Sequence, residues 1–261
     1  MFSLKISPQI IRSLLFLLIV LALPIRADEL RLAVASNFTA AFQQLAPHFE
    51  QATGHRLKPS FGSTGKLYAQ IRQGAPFEIL LAADDKHGRL LIESGFGVPG
   101  SEFIYAVGRL VLWSAQPELV GGSSEILASH RFRRLAIANP LTAPYGAAAI
   151  QTLEHLELYD SVRDKLVQGE NIAQALQFAY SGNAELGFIA WAQLKALPGK
   201  QQGSFWLVPE DLHEPIRQEA ILLRQGKDSQ AARAFLGFLQ SPQTRALLKE
   251  WGYDTPEAEP R

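Results

Sequence analysis

Residues 30–49, LRLAVASNFTAAFQQLAPHF, join a run of apolar strand formers to an amphipathic stretch with only Ser36 and Asn37 between them. Phe38, Phe42, Leu45 and Phe49 recur at i, i+4, i+7 and i+11, one face of a 3.6-residue period. This predicts a helix with Ser36 or Asn37 as its N-cap. A helix start leaves N–H groups without internal partners and carries partial positive charge, so a strand feeding straight into one aims donors at open space, a ready place for a small anion. A single such join is an ordinary capped helix. Its recurrence along the chain is what narrows the fold.

The next extended run is Arg56 to Phe61, Pro59 notwithstanding, and it leads through Gly62-Ser63-Thr64-Gly65 into a helix carrying Leu67 and Ile71. Ile79 to Ala83 follows, apolar enough for a strand buried on both faces. One of Asp84 and Asp85 is expected to cap a helix from Lys86 to Glu93. Phe103 to Trp113 reads as one strand passing through Gly108 into a second lobe, where the plan repeats. Arg134–Ala138 precedes the loop NPLTAPYG (139–146) and a helix over 147–158. Leu166-Val167 leads through Gly169-Glu170-Asn171 to a helical stripe at Ile172, Ala175, Leu176 and Ala179. Strands are expected near 185–190, 205–208 and 216–223, the last as the return crossing. Helices around Phe235 and after Ser241-Pro242 should pack back on the first lobe. Strand alternating with helix predicts an α/β fold of mostly parallel sheets flanked by helices. Two lobes are expected, 28–108 with 218–261, and 109–217.

Residues 1–27 read as a secretory signal peptide: Lys5 and Arg12 precede the apolar run Leu14–Leu23, and Ile25-Arg26-Ala27 places a small residue at the cut, near Ala27. The run is short for a membrane span. The 25 basic residues of the chain include Lys5, Arg12 and Arg26, so the mature chain carries 22 against 25 acidic ones. No basic run with interleaved aromatics points to nucleic acid. The chain has no cysteine, hence no disulfide, thiolate metal site or thiol nucleophile, and no lipidated cysteine at the cut. A soluble periplasmic or secreted protein is expected. The six histidines, His48, His55, His87, His130, His155 and His213, form no HExxH, and neither a GxSxG elbow nor a P-loop occurs, so an enzyme such as a hydrolase is not expected.

Four strand-to-helix loops share a composition of small or hydroxyl-bearing residues: Ser36-Asn37, Ser63-Thr64-Gly65, Thr142 to Gly146, and Asn171-Ile172. In open α/β sheets the ligand lies beyond the carboxyl ends of the strands. Charges are scarce at these joins, Lys66 and Glu170 being the nearest. Five to eight N–H and O–H donors, each bond to a charged group worth roughly 1.5–3 kcal/mol net, suffice for a dianion without arginine. A site built of donors suits sulfate, molybdate or tungstate better than hydrogen phosphate, whose own proton wants an acceptor. A ferric site on the same plan would call for a tyrosine cluster or carboxylates, and Tyr145 stands alone in these loops.

VASNFTAAF, SFGSTGKLYAQI, FEILLAADDKH, NPLTAPYG and ELGFIAW, in this order after a signal peptide, resemble the periplasmic molybdate-binding proteins of ABC importers, over essentially all of 28–254. The resemblance implies a two-lobed type II periplasmic-binding fold with a two-strand hinge. It implies a monomer without cofactor, closing on molybdate or tungstate and delivering it to an ABC transporter permease in the inner membrane, with sulfate as the alternative ligand. Carried over to this chain, the contacts fall on Asn37 with Ser36 beside it, on Thr64 or Ser63, on Tyr145, and on Ile172 through its backbone N–H. There is no direct metal ligand, only contacts through the oxoanion. Some members place a ligand tyrosine where this chain has Ala190. The hydroxyl of Tyr145, from the opposite side of the pocket, is then expected to substitute for it.

Overall fold

The structure is a computed structural model that describes residues 28–129, 131–199 and 202–256. The expected signal peptide lies outside the described residues. In chain order, β1 (Glu29–Ala35) leads through a 3-10 turn at Ser36–Phe38 into α1 (Thr39–Thr53), β2 (Arg56–Gly62) into α2 (Thr64–Arg72), and β3 (Ile79–Ala82) into α3 (Lys86–Glu93). β4 (Phe103–Gly108) ends one residue before β5 (Leu110–Ser114). β6 (Leu135–Ala138) precedes α4 (Pro144–His155) and the short α5 (Tyr159–Val162). β7 (Leu166–Gly169) precedes α6 (Ile172–Tyr180), and β8 (Leu186–Ala190) runs into α7 (Trp191–Ala196). β9 (Ser204–Leu207), β10 (Ile216–Leu222), α8 (Gln230–Leu239) and α9 (Pro242–Glu250) complete the order.

The strands form two five-stranded sheets, β2-β1-β3-β10-β4 and β7-β6-β8-β5-β9. In each sheet the three strands that feed helices run parallel, the next strand (β10 in the first sheet, β5 in the second) runs against them, and the edge strand beyond it (β4, β9) is antiparallel to that one and so points the same way as the three. Chain geometry explains the mixture. A strand entering from the other lobe reaches the sheet without a crossover helix, and so pairs antiparallel. The stretch expected as one strand, Phe103 to Trp113, is two strands of different sheets: Gly108 pairs with Ile216 in the first and Leu110 with Ala190 in the second, with Arg109 as the step between. Pro59, which has no N–H to give a ladder, lies in edge strand β2.

β3, β6 and β8 are buried along their whole length, as their unbroken apolar sequences require of central strands. α1 buries Ala41, Phe42, Leu45 and Phe49, the predicted stripe, and ends on Gly54 in the left-handed region at φ 75°. Each fully buried aromatic or aliphatic side chain is worth about 1.5–3 kcal/mol relative to exposure. Phe235, Leu239 and Leu248 of the tail helices join Phe38, Phe42 and Phe49 in one cluster, so the tail closes the core of the first lobe. The second lobe has its own core around Leu110, Leu112, Phe188 and Leu153. Ala35 and Ala83, at the ends of β1 and β3, pack into that second core, while Ala192 of α7 packs into the first. The two lobes are therefore in contact across the cleft.

Candidate functional site

The 3-10 turn after β1 and the starts of α2, α4 and α6 meet between the lobes around a cavity of about 10 Å³. That is the order of the ~10–15 Å³ a single water needs, so the cavity as it stands has room for a guest of a few atoms and not for a sugar or peptide. Ser36, Asn37, Ser63, Thr64, Tyr145 and Ile172 all line it, and no lining residue is charged. A wider recess of about 310 Å³ opens beside it and shares the wall at Ala83, Ala143 and Pro144. Among its charged and titratable lining groups, Asp84 lies 2.9 Å from His87 and Arg217 lies 3.7 Å from Asp85, and Lys86 and Glu214 line it too. The smaller cavity is the uncharged one, and two of the hydroxyl-bearing residues that line it lack partners.

The hydroxyls of Ser63 and Tyr145 are buried and have no hydrogen-bond partner. A buried hydroxyl without a partner costs about 1–3 kcal/mol, which a ligand oxygen would recover. Burial, then the nearby Tyr253 and Tyr105 hydroxyls, push the Tyr145 phenol well above its ordinary pKa. Asn37 stands near enough to temper that shift without meeting hydrogen-bond geometry. Tyr145 thus keeps its proton and remains a donor. The Thr64 hydroxyl accepts from the Ala83 amide at 3.0 Å, which occupies one lone pair and leaves its own proton to give. The Asn171 side chain caps α6 by accepting from the amides of Ala173 and Gln174, leaving that of Ile172, at the first helical position, uncapped. The carbonyl of Ile172 is held by Gln193 Nε2 at 3.1 Å.

Three local expectations are corrected. Neither Ser36 nor Asn37 caps a helix through its side chain; both sit inside the 3-10 turn, where Ala35 is the capping residue. The Asn37 carboxamide instead donates to Gln218 Oε1 at 2.7 Å and to the Tyr253 hydroxyl at 3.2 Å. With both of its N–H groups so committed, the Asn37 side chain has none left for a ligand, and what the residue offers the cavity is its backbone. The third correction concerns the NPLTAPYG segment: α4 begins at Pro144, so Tyr145 belongs to the first helical turn and not to a loop. Proline at a helix start costs nothing, because its missing N–H would have no partner there. Of the aspartate pair, Asp84 does the capping work, accepting from the His87 amide at 2.9 Å.

Several residues shape the site through contacts that the sequence does not announce. Gly108 matters by its size: a Cβ there would lie 2.0 Å from the Tyr145 hydroxyl. Gly65 donates its amide across the cleft to the Thr142 carbonyl at 2.9 Å, and a Cβ on it would come within 3.0 Å of Thr142 Cα. Lys66 and Glu170 pair at 2.8 Å on the lips of the cleft. A signal that could have exposed the hinge is Gln218-Glu219, two buried polar residues in strand β10, whose other buried members are apolar.

Two α/β lobes joined by crossing strands and closed over a small, uncharged, donor-lined cavity define a two-lobed protein of the type II periplasmic-binding fold, the architecture of solute-binding proteins. The sequence matches the family described as bacterial extracellular solute-binding protein over residues 30–254, and the chain belongs to that family. It is similar to the molybdate-binding protein ModA of Azotobacter vinelandii, 50% identical over 233 residues that cover 89% of this chain and 92% of the relative. It is also similar to ModA of Rhodobacter capsulatus, 45% identical over 95% of this chain and 98% of the relative. Among solved structures, the periplasmic molybdate-binding protein of Azotobacter vinelandii superposes with a TM-score of 0.84 at 40% identity, covering 87% of this chain and all of the other.

Proposed function

We propose that this protein binds molybdate, and tungstate by the same contacts, outside the cytoplasm and hands it to the permease of an ABC importer. The observation that carries this reading is the pair of buried, unpartnered hydroxyls of Ser63 and Tyr145 lining one uncharged cavity between the lobes. The two curated relatives, each covering about nine-tenths of this chain or more, are molybdate-binding proteins. The ion is held by the hydroxyls of Ser36, Ser63, Thr64 and Tyr145 and by the backbone amides of Asn37 and Ile172. These bonds replace its water when residues 28–108 with 218–261 close against 109–217. Backbone amides only donate, whereas hydroxyls can also accept. Discrimination against a protonated oxoanion therefore rests on the amides and on cavity size. The protein acts as a periplasmic monomer after cleavage near Ala27.

Titration calorimetry of the mature chain against molybdate, tungstate, sulfate and phosphate tests the reading. Molybdate and tungstate are expected to bind tightly, and Tyr145→Phe and Thr64→Ala each to weaken molybdate by about 1–3 kcal/mol, the cost of losing a hydrogen bond to a charged partner. Absence of binding at millimolar molybdate, or unchanged affinity in both variants, overturns it. Tighter binding of sulfate than of molybdate would reassign the ligand within the tetrahedral oxoanions.

A further inference from the structure

Beneath the cavity, the ladder between β10 and β4 shifts register at Gln218 and Glu219, with Tyr105 of β4 as the extra residue. β10 runs between β3 and β4 with residues buried on both of its faces, and so it buries two consecutive polar residues in the strand that returns from the second lobe. Gln218 is fully buried. Its Nε2 donates to the Ile216 carbonyl at 3.0 Å, which turns its Oε1 toward Asn37. Asn37 must then donate, and does so at 2.7 Å. Tyr253 closes the frame: its hydroxyl accepts from Asn37 Nδ2 at 3.2 Å and donates to the Asn37 carbonyl at 3.0 Å. Every direction in the network is thus set without a free choice of amide orientation.

The other side of Gln218 faces the second lobe's contribution. A Cβ on Gly108 would meet the Tyr145 hydroxyl at 2.0 Å and Gln218 Nε2 at 3.1 Å, so both groups lie against the same glycine at the end of hinge strand β4. Gln218 therefore stands between the ligand turn of one lobe and the ligand hydroxyl of the other, on a strand that crosses between them.

Resting on the oxoanion reading above, we propose that Gln218 is a positioning residue. It holds the Asn37 carboxamide out of the cavity so that the backbone of the Ser36–Asn37 turn faces the ion, and it registers that turn to the hinge against which Tyr145 closes. Gln218 touches no ligand atom in this scheme. The Asn37 side chain acts through the same contact.

The test is a double-mutant cycle read by molybdate titration. Gln218→Met, similar in length and without hydrogen bonds, is expected to raise Kd about tenfold, the scale of one lost buried hydrogen bond. Asn37→Ala is expected to do much the same, and the double variant to bind no worse than about twofold beyond the weaker single one, because both changes break the same Asn37–Gln218 contact. Gln218→Met combined with Ser63→Ala should instead multiply. Gln218→Glu keeps the acceptor for Asn37 but places an ionisable carboxyl beside a dianion site, so its binding should recover as pH falls while the wild type stays flat. A purely structural role would move melting temperature without that pH profile. Multiplying losses for Gln218→Met and Asn37→Ala, or a Gln218→Met Kd within twofold of wild type, overturns this inference alone. Gln218→Glu binding that does not depend on pH also overturns it alone. A wild-type chain that binds none of the oxoanions removes the function and this inference together.

Discussion

The first lobe brings the cavity one unpartnered hydroxyl, that of Ser63, beside groups that are already tied in place. Thr64 is bonded to the Ala83 amide, and Asn37 to Gln218 and Tyr253. The second lobe brings one hydroxyl, that of Tyr145, with no bond of its own and with its position set by contact with Gly108, together with the uncapped amide at Ile172. On the function proposed above, a surface most of whose groups are held in place would present its donors before closure, so that an anion would meet a largely ordered half-shell. The half that is positioned by shape completes the shell only when the hinge brings it in. Preorganisation on one side and steric placement on the other thus divide recognition between landing and closing.

The sharpest way to break this contrast is Gly108→Ala. The added methyl would sit inside contact distance of the Tyr145 ring carbon and hydroxyl, at 2.9 and 2.0 Å, so the second lobe's only side-chain donor must move. Overpacking of this kind costs about 1–3 kcal/mol. The loss should appear chiefly in molybdate affinity by calorimetry, and an unchanged Kd would show that Tyr145 is not placed by shape. A second prediction sharpens the first lobe's character. Glu219, buried beside Gly88, has its carboxyl pushed up to about 8, first by burial and then by Asp85, Glu102 and Asp84, with Arg89 opposing. Because the folded form holds this proton more tightly than the unfolded chain, the contribution is fully favourable below the ordinary carboxylate range and declines as pH rises to about 8. Glu219→Gln should therefore raise the melting temperature above pH 8, by roughly 2–4 °C per kcal/mol recovered, and have little effect near pH 4. A uniform shift across pH would contradict the linkage. The smallest effect is expected at the rim. Lys66→Ala removes a half-exposed ion pair with Glu170 that joins the closed lobes, worth about 0.2–1 kcal/mol. Its influence on Kd should vanish in high salt, and persistence there would mark the pair as more than a screened contact.

Much of the fold was legible in the chain. The period of Phe38, Phe42, Leu45 and Phe49 and the unbroken apolar runs at Ile79–Ala82 and Leu186–Ala190 each state a local rule that packing later obeyed. Strand-to-helix joins were visible for the same reason, since periodicity changes from two to 3.6 within a few residues. The break at Arg109 was not visible, because a strand that changes sheets keeps its extended backbone and apolar sequence while exchanging partners.

At the site, the residue types around the cavity could be named from hydroxyl-bearing loops at helix starts, and all six named residues line it. Which of their atoms face the ion could not. Asn37 reads as a cap or a ligand until Gln218, 181 positions later in the chain, takes its N–H. Gly108 reads as one more strand glycine until the Tyr145 hydroxyl is found against it. Local sequence determined where strands, helix starts and donors would be, because those depend on neighbours a few residues apart. Only the tertiary structure decided which donors are already spent and which remain free, because hydrogen-bond partners and steric limits are supplied by strands that meet only after the chain has crossed the hinge and returned.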